Sequence, residues 1–164
     1  ERVLRFSRSS EPKLEDVDLN DVVNEVVLLT RHQFRQNRIQ VFCVLSPEPP
    51  LVAGDRLQLE QALLNLVLNA AQALDKDRRI FLSTQIGEPE GRCSIEVLDT
   101  GRGISMEKKE KLFQPFFSSK TGGTGLGLPI VKKIVDHHGG EIRWESSESG
   151  TSFKMFFPRR AGTD

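Results

Sequence analysis

Gln58, Gln61, Asn65, Asn69 and Gln72 recur through the segment QLEQALLNLVLNAAQAL (58–74). On a helix this spacing places all five carboxamides within an arc of about 80°. The rest of that surface is mainly Leu, Val and Ala, and from 61 to 74 the polar stripe contains no charge. Asn costs a few tenths of a kcal/mol relative to Ala inside a helix, and burying its amide without a partner costs about 1–3 kcal/mol more. The stripe reads as an ordinary polar face that happens to lack charge, or as the wall of a pocket. In a pocket, an Asn oxygen can ligate a hard cation such as Mg²⁺ while its NH₂ donates to phosphate.

Two further stretches have the composition of ligand sites. In DTGRGIS (99–105), Gly101 and Gly103 let the backbone turn sharply after Asp99, whose carboxylate could accept a hydrogen bond from an exocyclic amine. A plain Asp-x-Gly turn fits the same residues. In SSKTGGTGLGLPIVKKIVDHHGG (118–140), a glycine-rich run leads into a helix whose first N–H groups lack partners. That helix start can receive an anion, with Lys120 adding positive charge. Pro129 suits the first turn. The GTGLG run is not a dinucleotide fingerprint, because a glycine-rich loop rather than a strand precedes it.

The elements that must hold these side chains can be read from periodicity. Asp18 can cap a helix whose Leu19, Val22, Val23, Val26 and Val27 recur at helical spacing and which fades near residues 35–37. IQVFCVL (39–45) reads as a strand, and a second helix runs from about Asp55 to Leu74. IFLSTQI (80–86) and CSIEVLD (93–99) alternate as strands around the loop GEPEGR (87–92). A third helix spans about Gly125 to His138, stopped by Gly139 and Gly140. EIRWES (141–146) and TSFKMFF (151–157) form a last hairpin about Gly150. These elements predict an α+β fold: a two-layer sandwich with a mixed, mostly antiparallel sheet of about five strands, covered on one face by three helices.

Composition narrows the function classes. The chain has 164 residues, with 23 Lys plus Arg balanced by 23 Asp plus Glu, so no basic nucleic-acid surface is expected. No apolar run approaches membrane-spanning length. Cys43 and Cys93 read as two reduced thiols or as one disulfide. The start at Glu1 and the polar first 17 residues suggest a fragment of a longer protein. His32 lies on a helix without an acidic neighbour. His137 and His138 end the third helix, where positive charge suits the dipole.

LEQALLNLVLNAAQAL, VLDTGRGIS, LFQPFFSSKTGGTGLGLPIVKKIVDHHGG and ESGTSFKMFFP together resemble the ATP-binding catalytic domain of sensor histidine kinases, in the GHKL ATPase superfamily. The resemblance covers about 18–158 and implies an α/β sandwich with ATP between helices and a lid. It implies that Asn69 ligates Mg²⁺, with Asn65 its phosphate-side neighbour and Gln72 on the same nucleotide-facing stripe. Asp99 would read the adenine amine, with Gly101, Gly103 and Ile104 shaping that wall. Thr124, Gly125, Leu126, Gly127 and Leu128 would hold the phosphates, and Thr151 would support the adenine end. Phe113, Phe116 and Phe117 match the lid's phenylalanine box; plain core aromatics are the alternative.

Two departures qualify the match. Ser118 stands where many members place an Arg, which leaves Lys120 to face the γ-phosphate. Relatives that hydrolyse ATP place a Glu four residues before the metal-binding Asn. Asn65 cannot act as that general base, so slow hydrolysis is expected. The family's phosphoacceptor His box is absent, and residues 4–19 resemble the tail of the dimerisation hairpin that carries it. The implied organisation is a hairpin tail and linker (1–17), an ATP-binding domain (18–158) and a C-terminal tail (159–164). The implied cofactors are ATP and Mg²⁺. The implied partners are the phosphoacceptor hairpin of the same kinase and, through the full-length protein, a response regulator. The fragment is expected to be a cytoplasmic monomer that does not label itself, from a homodimeric parent whose membrane attachment the sequence leaves open. The rival readings are an anti-sigma-type serine kinase, which would keep a Glu at position 65, and a nucleotide-binding module without phosphotransfer.

Overall fold

The computed structural model describes residues 13–87, 91–115, 117 and 127–160. In chain order the elements are β1 (Glu15–Asp18), α1 (Leu19–Gln36), β2 (Gln40–Val44), β3 (Leu51–Gly54), α2 (Arg56–Ala73), β4 (Arg79–Gly87) and β5 (Arg92–Asp99). They continue with α3 (Met106–Lys109), α4 (Gly127–His137), β6 (Glu141–Ser147) and β7 (Gly150–Pro158). The main sheet has the order β2-β4-β5-β7-β6; β2 runs parallel to β4 and the other pairs are antiparallel. This is the mixed, mostly antiparallel five-stranded sheet expected from alternation.

Alternation also sets the layers. Ile80 and Leu82 on β4, Ile95 and Val97 on β5, and Phe153, Met155 and Phe157 on β7 all face the helices and are buried. They meet Leu19, Val22, Val23 and Val26 of α1, Leu59, Leu63 and Leu66 of α2, and Val131 and Val135 of α4. Each such side chain contributes about 1.5–3 kcal/mol on burial. Asp18 caps α1 as expected, and Asp55, expected only as the start of the second helix, caps α2. Asp18 accepts from the Asn20 N–H (2.8 Å), and Asp55 accepts from the Gln58 N–H (3.2 Å).

Three elements were not legible. β1 and β3 form a separate antiparallel ribbon, and α3 is a single short turn of helix. The EDVD of β1 is too charged and short to alternate visibly, and β3 follows directly on the prolines of PEPP. The ribbon extends the ordered fold at both ends. Strand pairing begins at Glu15, inside the stretch expected as linker. Beyond Pro158, Arg159 forms a bridge with Val52, and the Arg160 N–H donates to the Leu51 carbonyl (2.8 Å). Both cysteines are free, Cys43 exposed and Cys93 buried.

His138 plays a different structural part from the one expected. It is buried rather than a solvated cation at a helix end. Its Nε2 accepts from the Asp55 N–H (2.9 Å), so the neutral ring carries its proton on Nδ1 and donates to the Ile134 carbonyl (2.7 Å). The ring meets Phe157 edge-on and lies against Gly54, where a Cβ would come within 3.0 Å of the imidazole. One side chain thus ties the end of α4 to the start of α2. Helix–helix packing fixes how far α4 lies from the carboxamide stripe.

Candidate functional site

α2 brings the metal-type and purine-type residues together. Asn65 and Asn69 are half-buried on its surface, whereas Gln72 is exposed. At the amino end of the same stripe, Gln58 is drawn into the cap, its Nε2 donating to Asp55 (3.4 Å). The polar stripe therefore changes along the helix, from capping at one end to half-buried and exposed carboxamides at the other.

The start of α4 lies against that surface. A Cβ placed on Gly127 would stand 3.7 Å from Asn69 Nδ2 and 3.9 Å from its Oδ1, an ordinary contact. The helix start and the carboxamide share one small space. That first turn is the electropositive end of an eleven-residue helix. Leu128 is half-buried in the same turn. Among the described residues, no group of three or more His, Cys, Asp or Glu could hold a metal ion. The Asn69 Oδ1 is an oxygen of the type that a hard cation such as Mg²⁺ accepts as one ligand, with phosphates and water completing its shell.

Asp99 ends β5 in the middle of the sheet and is 5% exposed. Its Oδ1 accepts from the Gly101 N–H (2.8 Å), an Asp-turn bond that fixes the carboxylate as the chain leaves the strand. The loop then runs against the last turn of α2: the Arg102 N–H donates to the Ala73 carbonyl (3.3 Å). A Cβ on Gly101 would lie 2.6 Å from that oxygen. Ala73 is four residues beyond Asn69, so the two ends of the site are separated by about 6 Å along the helix axis.

Gly103 closes this wall from the other side. Its φ is +74°, and a Cβ there would fall 1.9 Å from the Ser147 carbonyl oxygen. The Ile104 N–H donates to Ser146 Oγ (2.8 Å), which is 2.9 Å from Thr151 Oγ1. Thr151 is buried and sits opposite Asp99 in the β5–β7 register. Gly150 packs as closely, its Cβ position 1.9 Å from the Asp99 carbonyl. Asp99, Gly101, Gly103, Ile104 and Thr151 thus form one hydrogen-bonded corner.

Ser146 is the member of this corner that the sequence did not disclose. It is a serine in a hairpin strand, and only its register opposite Thr151 assigns it a role. Phe113 and Phe117 are half-buried. Lys120, Thr124, Gly125 and Leu126, together with Phe116 and Ser118, lie outside the described residues.

Comparison with known proteins agrees with the fold. Residues 54–161 match the family model for histidine kinase-, DNA gyrase B- and HSP90-like ATPases. The sensor histidine kinase ZraS of Klebsiella oxytoca is 34% identical over 158 residues, covering 95% of this chain and 34% of the relative. The signal transduction histidine-protein kinase AtoS of Escherichia coli is 35% identical over 160 residues, covering 96% of this chain and 26% of the relative. The chain thus spans about a third or less of these relatives' length. The solved catalytic domain of histidine kinase ThkA superposes with a TM-score of 0.81 at 35% identity, covering 90% of this chain and 96% of that one. A crystal structure of ThkA in complex with the response regulator protein TrrA also matches, with a TM-score of 0.76 at 30% identity and 91% and 42% coverage.

Proposed function

Because this chain belongs to the family of histidine kinase-, DNA gyrase B- and HSP90-like ATPases, we propose that it is the ATP-binding catalytic domain of a two-component sensor histidine kinase. In this reading it presents Mg·ATP for in-line attack by an imidazole on a separate helical hairpin, the part read as ending within residues 1–17. The observation that supports the proposal is that a Cβ placed on Gly127, at the start of α4, would stand 3.7 Å from the Asn69 carboxamide. In this reading the carboxamide would be a hard-cation ligand beside a helix end that receives the phosphates.

The residues divide the work by position. Asn69 Oδ1 would hold Mg²⁺, which when bound neutralises charge on the triphosphate, and Asn65 would donate to phosphate one turn earlier. The N–H groups of Gly127 and Leu128, with Thr124, Gly125 and Leu126 before them, would cradle the phosphates. Lys120 would face the γ-phosphate. Asp99 would accept from the adenine amine, with Gly101, Gly103, Ile104 and Thr151 setting its wall and Gln72 at the rim. Catalysis would then consist of positioning and electrostatic stabilisation. Asn65 cannot take a proton from water, so the bound nucleotide would be hydrolysed slowly.

The ATP-binding unit is assigned to about 18–158, extended by the strand pairing from Glu15 and by the contacts of Arg159 and Arg160, and the fragment is assigned as a monomer. Its partners would be the phosphoacceptor hairpin and, through the whole kinase, a response regulator. No helix among the described residues is long and apolar enough to cross a membrane, in keeping with a cytoplasmic placement of this domain. The test is to mix the chain with a matching hairpin domain and radiolabelled ATP. Labelling of the hairpin, with none on this chain alone, is expected. Nucleotide binding without label on the hairpin overturns the catalytic assignment.

A further inference from the structure

The outer edge of the main sheet carries a feature unrelated to the nucleotide corner. β2 pairs with β4 on one side, and among the described residues nothing pairs with its other side. The Gln40 N–H donates to the Arg78 carbonyl (2.9 Å), and Gln40 is in register with Arg79. In this parallel pattern residues 40, 42 and 44 turn their backbone groups toward β4. Val41 and Cys43 therefore turn theirs outward. Edge strands are usually blunted by charge, proline or a bulge, whereas QVFCV has no charge and no proline.

Beside this edge lies a groove of about 240 Å³, lined by Val27, Thr30, Arg31, Phe34, Ile39 and Val41. It lies between β2 and the second half of α1, on the helix side of the sheet. An inward side chain of one more strand would sit there. The local charge is one-sided. From Val26 to Pro47 the chain carries Arg31, His32, Arg35 and Arg38 and no Asp or Glu, although the whole chain is neutral. Arg56, Arg79, Arg92, Arg143, Arg159 and Arg160 all pair with carboxylates. Arg31, Arg35 and Arg38 are exposed and form no ion pair among the described residues.

We propose that the β2 edge and its groove form a docking site for an extended, acidic peptide segment of a partner protein. The peptide main chain would pair with Val41 and Cys43, an apolar side chain would enter the groove, and flanking carboxylates would meet Arg31 and Arg35. Backbone pairing supplies affinity, and the groove and the guanidinium groups supply selection.

Two synthetic peptides test this: acetyl-Glu-Thr-Ile-Val-Glu-Thr-amide and its counterpart with Lys at both Glu positions. Each is titrated into the chain while alkylation of Cys43 is followed by mass spectrometry. Buried Cys93 serves as the internal control for unfolding. Occupancy by the glutamate peptide slows Cys43 alkylation about tenfold at about nine times its Kd, while the lysine peptide leaves the rate unchanged. Val41→Pro removes an outward N–H together with the Val41 side chain from the groove and abolishes protection, with Cys93 still unreactive. Arg31→Glu combined with Arg35→Glu reverses the preference to the lysine peptide. Equal protection by both peptides, or none from the glutamate peptide at millimolar concentration, overturns the proposal. So does peptide-independent protection that rises with protein concentration, which assigns the edge to a second copy of the chain.

Discussion

Gly103→Ala, compared with Gly91→Ala, separates backbone strain from displacement of the proposed purine wall. Both glycines have left-handed φ, +74° and +77°. At Gly91 an added Cβ meets no described atom within 4 Å, whereas at Gly103 it falls 1.9 Å from the Ser147 carbonyl oxygen. An alanine in the left-handed region costs about 1–2 kcal/mol, partly offset by about 0.4–1 kcal/mol of reduced freedom in the unfolded chain. Gly91→Ala should therefore destabilise by about 1 kcal/mol, a Tm decrease of about 2–4 °C for a domain of this size. At Gly103, reaching even 3.0 Å requires the loop or the β6–β7 hairpin to move by about 1 Å. That motion breaks the Ile104 N–H bond to Ser146 Oγ (2.8 Å), leaving groups unsatisfied at about 1–3 kcal/mol. The expected total is about 3 kcal/mol, or about 6–12 °C, and nucleotide affinity falls at least about tenfold, equivalent to about 1.4 kcal/mol. Thermal melts and isothermal titration with ATP measure both effects. If Gly103→Ala melts with Gly91→Ala and binds ATP as the parent does, the packed corner is not what shapes the site.

Other substitutions probe separate parts of the fold. Asp99→Asn retains the turn bond from Gly101 but loses the charge, and should weaken ATP binding at least about tenfold by titration, since bonds to charged groups contribute about 1.5–3 kcal/mol. Ser146→Ala should weaken nucleotide binding without altering transfer from bound ATP, visible as a rise in KM at constant kcat. His138→Ala removes the acceptor for the Asp55 N–H and the donor to Ile134, and should lower stability by about 2–4 kcal/mol in denaturant unfolding. Glu141 is held down to about 2 by hydrogen bonds from Arg143 and then Arg92. Its folded-state value is depressed, so its stabilisation is present above the ordinary 4.5 and is lost as pH falls through about 2. The Glu141 side chain is 44% exposed, so the stability gap between parent and Glu141→Gln should be small, reduced by salt, and absent in acid melts near that pH.

The sequence was most informative where one residue type had to satisfy one requirement. The alternation of Ile80, Leu82 and Thr84 and of Ile95 and Val97 marked strands with one buried face. Asp18 and Asp55 marked helix starts, while the uncharged stripe on α2 fitted an ordinary polar face as well as a pocket wall. Contacts distant in sequence were not visible. The β1–β3 ribbon depends on pairing Glu15 with Gly54, which no local pattern in EDVD or LVAG signals. His138 looked like a helix-end cation because its partner, Asp55, is 83 positions away. Ser146 acquires its role only when the hairpin sets it opposite Thr151. Proximity of Asn69 to Gly127, on which the functional reading turns, likewise arises from helix packing.

The most direct test of that reading is a crystal structure of the chain with Mg²⁺ and a nonhydrolysable ATP analogue. The account predicts the metal on Asn69 Oδ1, the phosphates at the start of α4 and the adenine amine on the Asp99 carboxylate. A nucleotide bound elsewhere, or bound here with Asn69 and Asp99 both making no contact to it, would contradict it.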